Sequence, residues 1–516
     1  MSFIDARELP EGTEIEADLI IIGGGMAGIA IAREWAGEGG RVAVLESGGR
    51  DPDRDLQDLY AGKGVMRGPG NADRNIDNYL PQSRVRAYGG SGHVWGGKSV
   101  PLDPSDFTDR SWLPMSGWPM TRDDLQPFYD RACGMLEIPA FGGGEEEPQE
   151  EGRPPLRLGR SREFFAAPRR FSAVSGGADP KAFDRFRYGV ESAQNVTVYL
   201  HANVVDIRAN AQSRDVDGLA VACLNGRRHT ARARAYVLAV GGIENVRLLL
   251  ASTSKDGNGL GNESDLVGRC FQGHVTYGVF EKDDLRLSSI AMSDASRSMA
   301  LYTDSPRDKL HCVIAATLAG QRRHKTGNFT TTFFAEPFPI EEAATALLKV
   351  AGALDAQNVN AASARNYPCF YMSEHLPNRD SRVALDPAST DALGMPRVKL
   401  DWVYADKDFA SLEASIAALA GALGREGAGR LCWPAERVDY VGLISQSRHH
   451  MGTTRMHRDP EFGVVDADCR MHGVPNLYVA GSSVFPTSGI ANPTLTLMAL
   501  AIRLADYLKG QLGAAR

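Results

Sequence analysis

Short continuous apolar runs recur along the chain, most of them stopping at small residues. Asp18 to Ile22 breaks at Gly23, and helical spacing follows over Met26 to Ala36; Arg41 to Leu45 is a second run, ended by Glu46. The form returns at Tyr236 to Val240, where Gly241-Gly242 leads into a helix from Ile243 through Ala251. It returns again at Leu477 to Ala480, ahead of Gly481, Ser482 and Ser483. Such runs belong to parallel strands buried on both faces and alternating with helices. A last helix is expected over Thr494 to Leu508, with Asn492 as its N-cap and Pro493 in its first position.

Other stretches have a different period. VTVYLHANVVDI from Val196, GLAVACL, and RRHTARA after Asn225-Gly226 read as a small β-meander, because Asn-Gly between alternating runs is a strong hairpin signal. From Gly273 to about Arg430, strand-like segments (His274 to Phe280, Leu310 to Leu318, Asn328 to Glu336, Cys369 to Ser373, Arg397 to Tyr404) alternate with helical stretches at Ile340 to Leu354 and Lys407 to Leu423. They predict one antiparallel sheet with helices on one face. Asp51 to Arg86 is polar and rich in Gly, Asn, Asp and Arg, which predicts a loop or lid with little regular structure. Thr121 is placed to cap a helix whose first turn carries Asp123 and Asp124, and GGGEEEPQEEG at 142–152 reads as a solvated acidic loop.

Composition narrows the partners. A chain of 516 residues with net charge −7 and no basic stripe is not built for nucleic acid or an anionic membrane surface. Its seven cysteines (Cys133, Cys223, Cys270, Cys312, Cys369, Cys432, Cys469) are scattered and never spaced C-x-x-C, which argues against a metal site and fits a reducing compartment. The first residues, MSFIDARELPEGTEIEAD, are acidic where a signal peptide needs a basic start and an apolar run, and no stretch reaches the roughly 20 apolar residues of a membrane span. The expected location is the cytoplasm.

The chemistry sits in the loops. Gly23, Gly25 and Gly28 form G-x-G-x-x-G between a strand and a helix, and Glu46 ends the next strand, where an acid can bind both hydroxyls of an adenosine ribose. That unit binds a dinucleotide, FAD and NAD alike. In YGGSGHVWGGKS, residues 88–99, the glycines let backbone lie against a large planar or phosphorylated ligand. Gly481 and Ser482 allow a similar approach to a phosphate or ribityl chain. SQSRHHMGTTRM, residues 445–456, and GIANPTLTLMA, residues 489–499, put a histidine pair and Asn492 on loops beside the start of a helix. The free N–H groups of that first turn, around Pro493 and Thr494, favour a nearby negative charge by roughly 0.3–1 kcal/mol.

These ordered blocks together resemble the glucose–methanol–choline (GMC) flavin oxidoreductases: the N-terminal motif with Glu46, GGSGHVWGG from Gly89, GGIENVRLLL from Gly241, HHMGT, and NPTLTLMALA. The resemblance covers essentially the whole chain. It implies FAD and an α/β Rossmann-like FAD-binding domain with an inserted α+β substrate-binding domain built on an antiparallel sheet. The corresponding division is 1–110, 190–272 and 432–516 for the FAD domain, 111–189 for a linking or lid segment, and 273–431 for the substrate domain. It further implies removal of a proton and a hydride from an alcohol. His449, three residues before the glycine of H-x-x-G-T, takes the family's catalytic-base position and Asn492 that of its partner. A histidine near neutrality suits such a transfer. His450 is the competitor; adjacent loop residues point apart, so one histidine is expected in the pocket and the other buried or bonded to backbone.

In the family's glycine-rich loop, the position that carries covalently attached FAD in some members falls on Val94, with His93 one residue early. Non-covalent FAD is therefore expected, held by Gly23, Gly25, Gly28, Glu46, Gly89, Gly90, Ser91, Val94, Gly96, Gly97, Gly481, Ser482, Pro493 and Thr494. Within the family the chain looks most like pyranose oxidases and bacterial glycoside 3-dehydrogenases, which implies oxidation of a ring secondary hydroxyl of a sugar or glycoside, with dioxygen, a quinone or a protein as acceptor. The alternatives are sterol or aryl-alcohol oxidation and a hydroxynitrile-lyase activity. Glu374 and His375, at a strand end, read as structural.

Overall fold

Leu19–Ile22 forms a strand because all four residues are apolar and none is more than 2 % exposed. It lies inside a six-stranded sheet, ordered Ser2–Asp5, Val196–Leu200, Val42–Leu45, Leu19–Ile22, Ala235–Leu238, Leu477–Val479, in which every pairing is parallel. The structure is a computed structural model. It describes residues 2–69, 73–142, 158, 162–172, 174, 176–177, 179–189, 193–210, 214–252, 257–278, 289–292, 310–333, 365–426, 428–432 and 447–513.

The helix Met26–Trp35 packs on this sheet and against the last helix, Pro493–Gly513, which also packs on Arg122–Met135. Thr121 and Asp124 close a capping box on Arg122–Met135, as the sequence predicts. Gly28 is needed for contact, since a Cβ there would stand 2.0 Å from the Gly23 carbonyl oxygen; Gly23 itself takes φ +103°.

Val196–Leu200 leaves the expected meander and joins the parallel sheet. The chain turns at His201, in the left-handed region at φ +57°, before Asn203–Ala209 begins a second sheet with Val216–Ala222, Arg228–Arg232 and Glu14–Glu16. The Asn225-Gly226 signal belongs only to the later pair of strands, where Gly226 adopts φ +93°.

Asp51 to Arg86 holds more regular structure than its composition suggests. Gly62–Arg67 pairs in parallel with Pro396–Val403, in a sheet completed by Arg382–Thr390 and Asp73–Asn75. Gly62 is there for close approach, because a Cβ would meet the Val398 carbonyl oxygen at 2.4 Å. Arg397 to Tyr404 consequently belongs to this small sheet and not to the large lobe sheet in which it was expected.

The lobe sheet runs Gly429–Cys432, Ser289–Met292, Arg365–Glu374, Phe329–Phe333, Leu310–Ala316, Phe164–Phe171, Lys98–Ser99, with His274–Gly278 also paired to Arg365–Glu374, and all its pairings are antiparallel. The helix Asp406–Arg425 packs against it. The helix expected over 340–354 and the acidic loop over 142–152 lie outside the described residues, apart from Gly142.

Arg110 ties the lobe to the rest. Its guanidinium meets both oxygens of Glu374 at 2.7 Å, and both side chains are fully buried. A buried charge left without its partner is costly. Glu374→Gln is therefore expected to lower the unfolding free energy by about 3–5 kcal/mol in urea titration, whereas a loss under about 1 kcal/mol would show that the pair contributes little.

Candidate active site

The parallel strands end in glycine-rich loops whose backbones leave a cavity of ≈ 410 Å³. Open α/β sheets bind ligands at this place, beyond the carboxyl ends of the strands. Gly23, Gly25 and Glu46 line one part of the cavity, Gly90, Ser91, Val94 and Gly96 another, and Gly481, Ser482, His449, Asn492, Pro493 and Thr494 a third. Three residues expected with them stand apart. Gly28 packs on Gly23, Gly89 (φ +111°) has the Arg187 and Phe183 side chains 2.7 and 2.8 Å from where its Cβ would be, and Gly97 accepts from Ser172 N–H at 2.9 Å. They shape the loops without facing the cavity.

Glu46 Oε2 accepts from Gly24 N–H at 2.8 Å and Oε1 from Gly48 N–H at 2.7 Å, so the carboxylate is fixed across the first glycine turn. A Cβ added at Gly96 or Gly481 would meet nothing within 4 Å, and at Gly25 only the Ala239 carbonyl oxygen at 4.0 Å. Missing side chains thus make the cradle. One wall is ionic: Arg84, Arg86 and Arg247 surround Glu244 at 2.8, 3.0 and 3.4 Å, and Arg247 also meets Asp391 at 2.7 Å. Burial pushes the Glu244 carboxyl up, but the three guanidiniums outweigh it and hold the pKa at about 2. Nothing in the local sequence marks this cluster, which joins residues 158 and 160 positions apart.

His93 faces away from the cavity. Its Nε2 lies 3.0 Å from the Tyr88 carbonyl oxygen and its ring sits edge-on to Phe183, while Val94 and Trp95 line the cavity.

At the far end, Asn492 directly precedes Pro493–Gly513, as expected of a cap. Its amide oxygen, however, accepts no hydrogen bond from the first turn and is buried without a partner. The carboxamide turns instead to His449, with Nδ2 donating to Nε2 at 3.4 Å. On its other side, His449 Nδ1 is 2.9 Å from Nδ1 of His274, a residue that no sequence motif signals. Burial, then His274, brings His449 down to about 3. His450 also lines the cavity, contrary to the expectation that only one histidine would, and its ring lies in an aromatic cluster with Tyr79 and Phe271. Tyr79 donates its hydroxyl to the Ser447 carbonyl at 2.7 Å, so His450 Nε2–H donates to the Tyr79 oxygen at 2.8 Å. Burial first, then Arg84, holds His450 well below the ordinary histidine range. Glu374 pairs with Arg110, and His375 Nε2–H donates to the Val403 carbonyl at 3.0 Å; both are structural.

Residues 377–501 match the family model of the GMC oxidoreductases. This segment carries the C-terminal domain of the GMC oxidoreductases. The chain is 28 % identical to paromamine 6′-oxidase of Streptomyces fradiae over 96 % of this chain and 92 % of that protein. It is 34 % identical to C-glycoside 3-oxidase of Microbacterium trichothecenolyticum over 26 % of this chain and 25 % of that one. Its fold matches a structure of Aspergillus oryzae RIB40 formate oxidase, solved to study FAD modification, with a TM-score of 0.58, 17 % identity, and 98 % and 99 % of the two chains covered. The family is one of FAD-dependent oxidoreductases acting on CH–OH donors. The glycine cradle, the fixed Glu46 and the orphaned Asn492 oxygen all fit that cofactor. Among the described residues, no histidine, cysteine or carboxylate cluster could hold a metal, and no helix is long and apolar enough to cross a membrane.

Gly25→Val tests the cradle. The backbone there (φ −80°, ψ −173°) accepts valine, whose branches enter the cavity. FAD affinity is expected to fall at least about 100-fold, or about 2.8 kcal/mol, read as a protein purified without visible flavin absorbance but with unchanged far-ultraviolet circular dichroism.

Proposed function

We propose that this chain, acting as a GMC oxidoreductase, oxidises a ring secondary hydroxyl of a sugar or glycoside to a ketone, with His449 as base, Asn492 orienting the oxygen, and FAD held without a covalent bond. The observation that carries the reading is the pairing of His449 Nε2 with the Asn492 carboxamide at the cavity wall. Because Nδ2 donates to Nε2, that nitrogen offers a lone pair. It can take a hydroxyl proton while the amide N–H turns to the same oxygen. Bound FAD supplies the hydride acceptor for the carbinol carbon. Gly23, Gly25, Glu46, Gly481 and Ser482 would hold its nucleotide and ribityl portions, and the N–H groups at the start of Pro493–Gly513 would face negative charge on its ring. Burial of the site keeps water from competing for the proton. Non-covalent attachment is supported by Val94 on the cavity and by His93 turned to Tyr88. The acceptor that completes turnover is dioxygen, a quinone or a protein.

A second reading has its own support. The paromamine 6′-oxidase aligns over nearly the whole chain, the C-glycoside 3-oxidase over about a quarter of it. A 6′ hydroxyl of an aminoglycoside is the substrate this favours.

The test is anaerobic bleaching of the flavin by glycosides, aminoglycosides, sterols and aryl alcohols. Glycosides or aminoglycosides are expected to reduce it, and His449→Ala to slow the reduction by about 100- to 10,000-fold; a full rate in the variant would remove His449 as base. A base whose pKa is lowered is neutral, and competent, at every pH above that value. With His449 near 3, the limiting rate is expected to stay flat between about pH 5 and 8 and to fall only in stronger acid. An inflection near the ordinary value of about 6.5 would mean that His449 titrates as a solvated group.

A further inference from the structure

His274 belongs to the lobe, His449 to a loop of the cofactor-binding half, and the backbone sets them face to face. Gln272 and Met451 exchange N–H···O bonds of 2.9 and 3.0 Å in an antiparallel bridge. Two residues further along each strand, in opposite directions, His274 stands opposite His449. His274 N–H is bonded to Ser447 Oγ at 2.9 Å, which fixes the strand against the loop. The rings meet edge to face with centroids 4.9 Å apart, and His274 is fully buried.

One proton lies between the two Nδ1 atoms, and its owner follows from the far side of His449. Nε2 accepts from Asn492 and is therefore unprotonated, so a neutral His449 carries its proton on Nδ1 and donates it to His274 Nδ1. The His274 proton is then on Nε2, which is buried and has no hydrogen-bond partner among the described residues. Both rings are neutral at pH 7: burial brings His274 to about 4 and His449 to about 3. The other groups acting on the pair are Arg169 from Phe164–Phe171 and His375 after Arg365–Glu374, both of which disfavour charge on His274. Among the described residues, no carboxylate hydrogen-bonds either imidazole.

We propose that His274 is a positioning residue for His449: its Nδ1 accepts the His449 Nδ1 proton, keeps the His449 lone pair on Nε2 toward Asn492, and shares the charge when Nε2 becomes protonated. This rests on the reading of His449 as base. In the step, the hydroxyl O–H bond breaks, an Nε2–H bond forms, and the hydride leaves for the bound cofactor. The imidazolium then carries protons on both nitrogens. Its Nδ1 proton is held over 2.9 Å by a neutral acceptor, where a Ser-His-Asp triad places a carboxylate.

The test needs no substrate. FAD-replete protein labelled with ¹⁵N-histidine is examined by NMR beside His274→Asn, whose amide oxygen can replace the Nδ1 acceptor, and His274→Leu, which has none. Bound-flavin absorbance reports folding. In the unaltered protein at neutral pH, His449, assigned by its loss in His449→Ala, is expected almost wholly as the Nδ1–H tautomer. His274→Asn should keep that form dominant, and His274→Leu should reduce it to a minority. An unchanged tautomer in His274→Leu overturns the proposal. Equal damage in both variants, or loss of flavin from both, makes His274 a packing residue and also overturns it. Full alcohol-driven flavin reduction in His449→Ala would instead refute the base assignment, leaving the tautomer result separate.

Discussion

The site depends on one buried glutamine. The Gln272 backbone exchanges both hydrogen bonds with Met451, its side-chain oxygen accepts from Ser488 N–H at 2.9 Å, and its amide nitrogen donates to the Pro486 carbonyl at 3.3 Å. One residue thus joins the lobe, the histidine loop and the segment that leads to Asn492. A one-residue slip in that bridge would turn His274 to the opposite face and leave His449 Nδ1 without its neighbour. The chemistry is set by backbone register before any side chain acts.

Charge is distributed to match. Where the proton is to be taken, the groups are imidazoles that burial keeps neutral, because an isolated buried charge is expensive. Full charges stand farther off and are paired: Glu244 among three arginines in one wall, and Arg110 against Glu374 away from the cavity. On the proposed reading, a base that burial keeps neutral, with a neutral neighbour to accept its other proton, is ready to take a hydroxyl proton as the hydride leaves.

The sequence made legible what is local. G-x-G-x-x-G needs only a strand, a turn and a helix in succession, and the cavity has Gly23, Gly25 and Glu46 on its wall. The resemblance of two short motifs to those of the family singles out His449 and Asn492, and they meet in space. Asn492 was read as a cap from the same local rule, yet its side chain serves His449, because a neighbour 43 residues away competes for the amide. Contacts between distant segments left no local trace. His274 is 175 residues from His449, and the partner of Gly62–Arg67 lies more than 300 residues on, so neither spacing nor composition could have shown them. Val196–Leu200 pairs in parallel with Ser2–Asp5 and Val42–Leu45, both far away in the chain, and not with the strand that follows it.

A crystal structure of the chain with FAD tests the central claim most directly. The nucleotide end of FAD is expected beside Gly25 and Glu46, with the isoalloxazine edge bearing N5 facing His449 Nε2 and the Asn492 amide. An isoalloxazine held elsewhere, or a His449 ring turned from it toward solvent, would exclude His449 as the base.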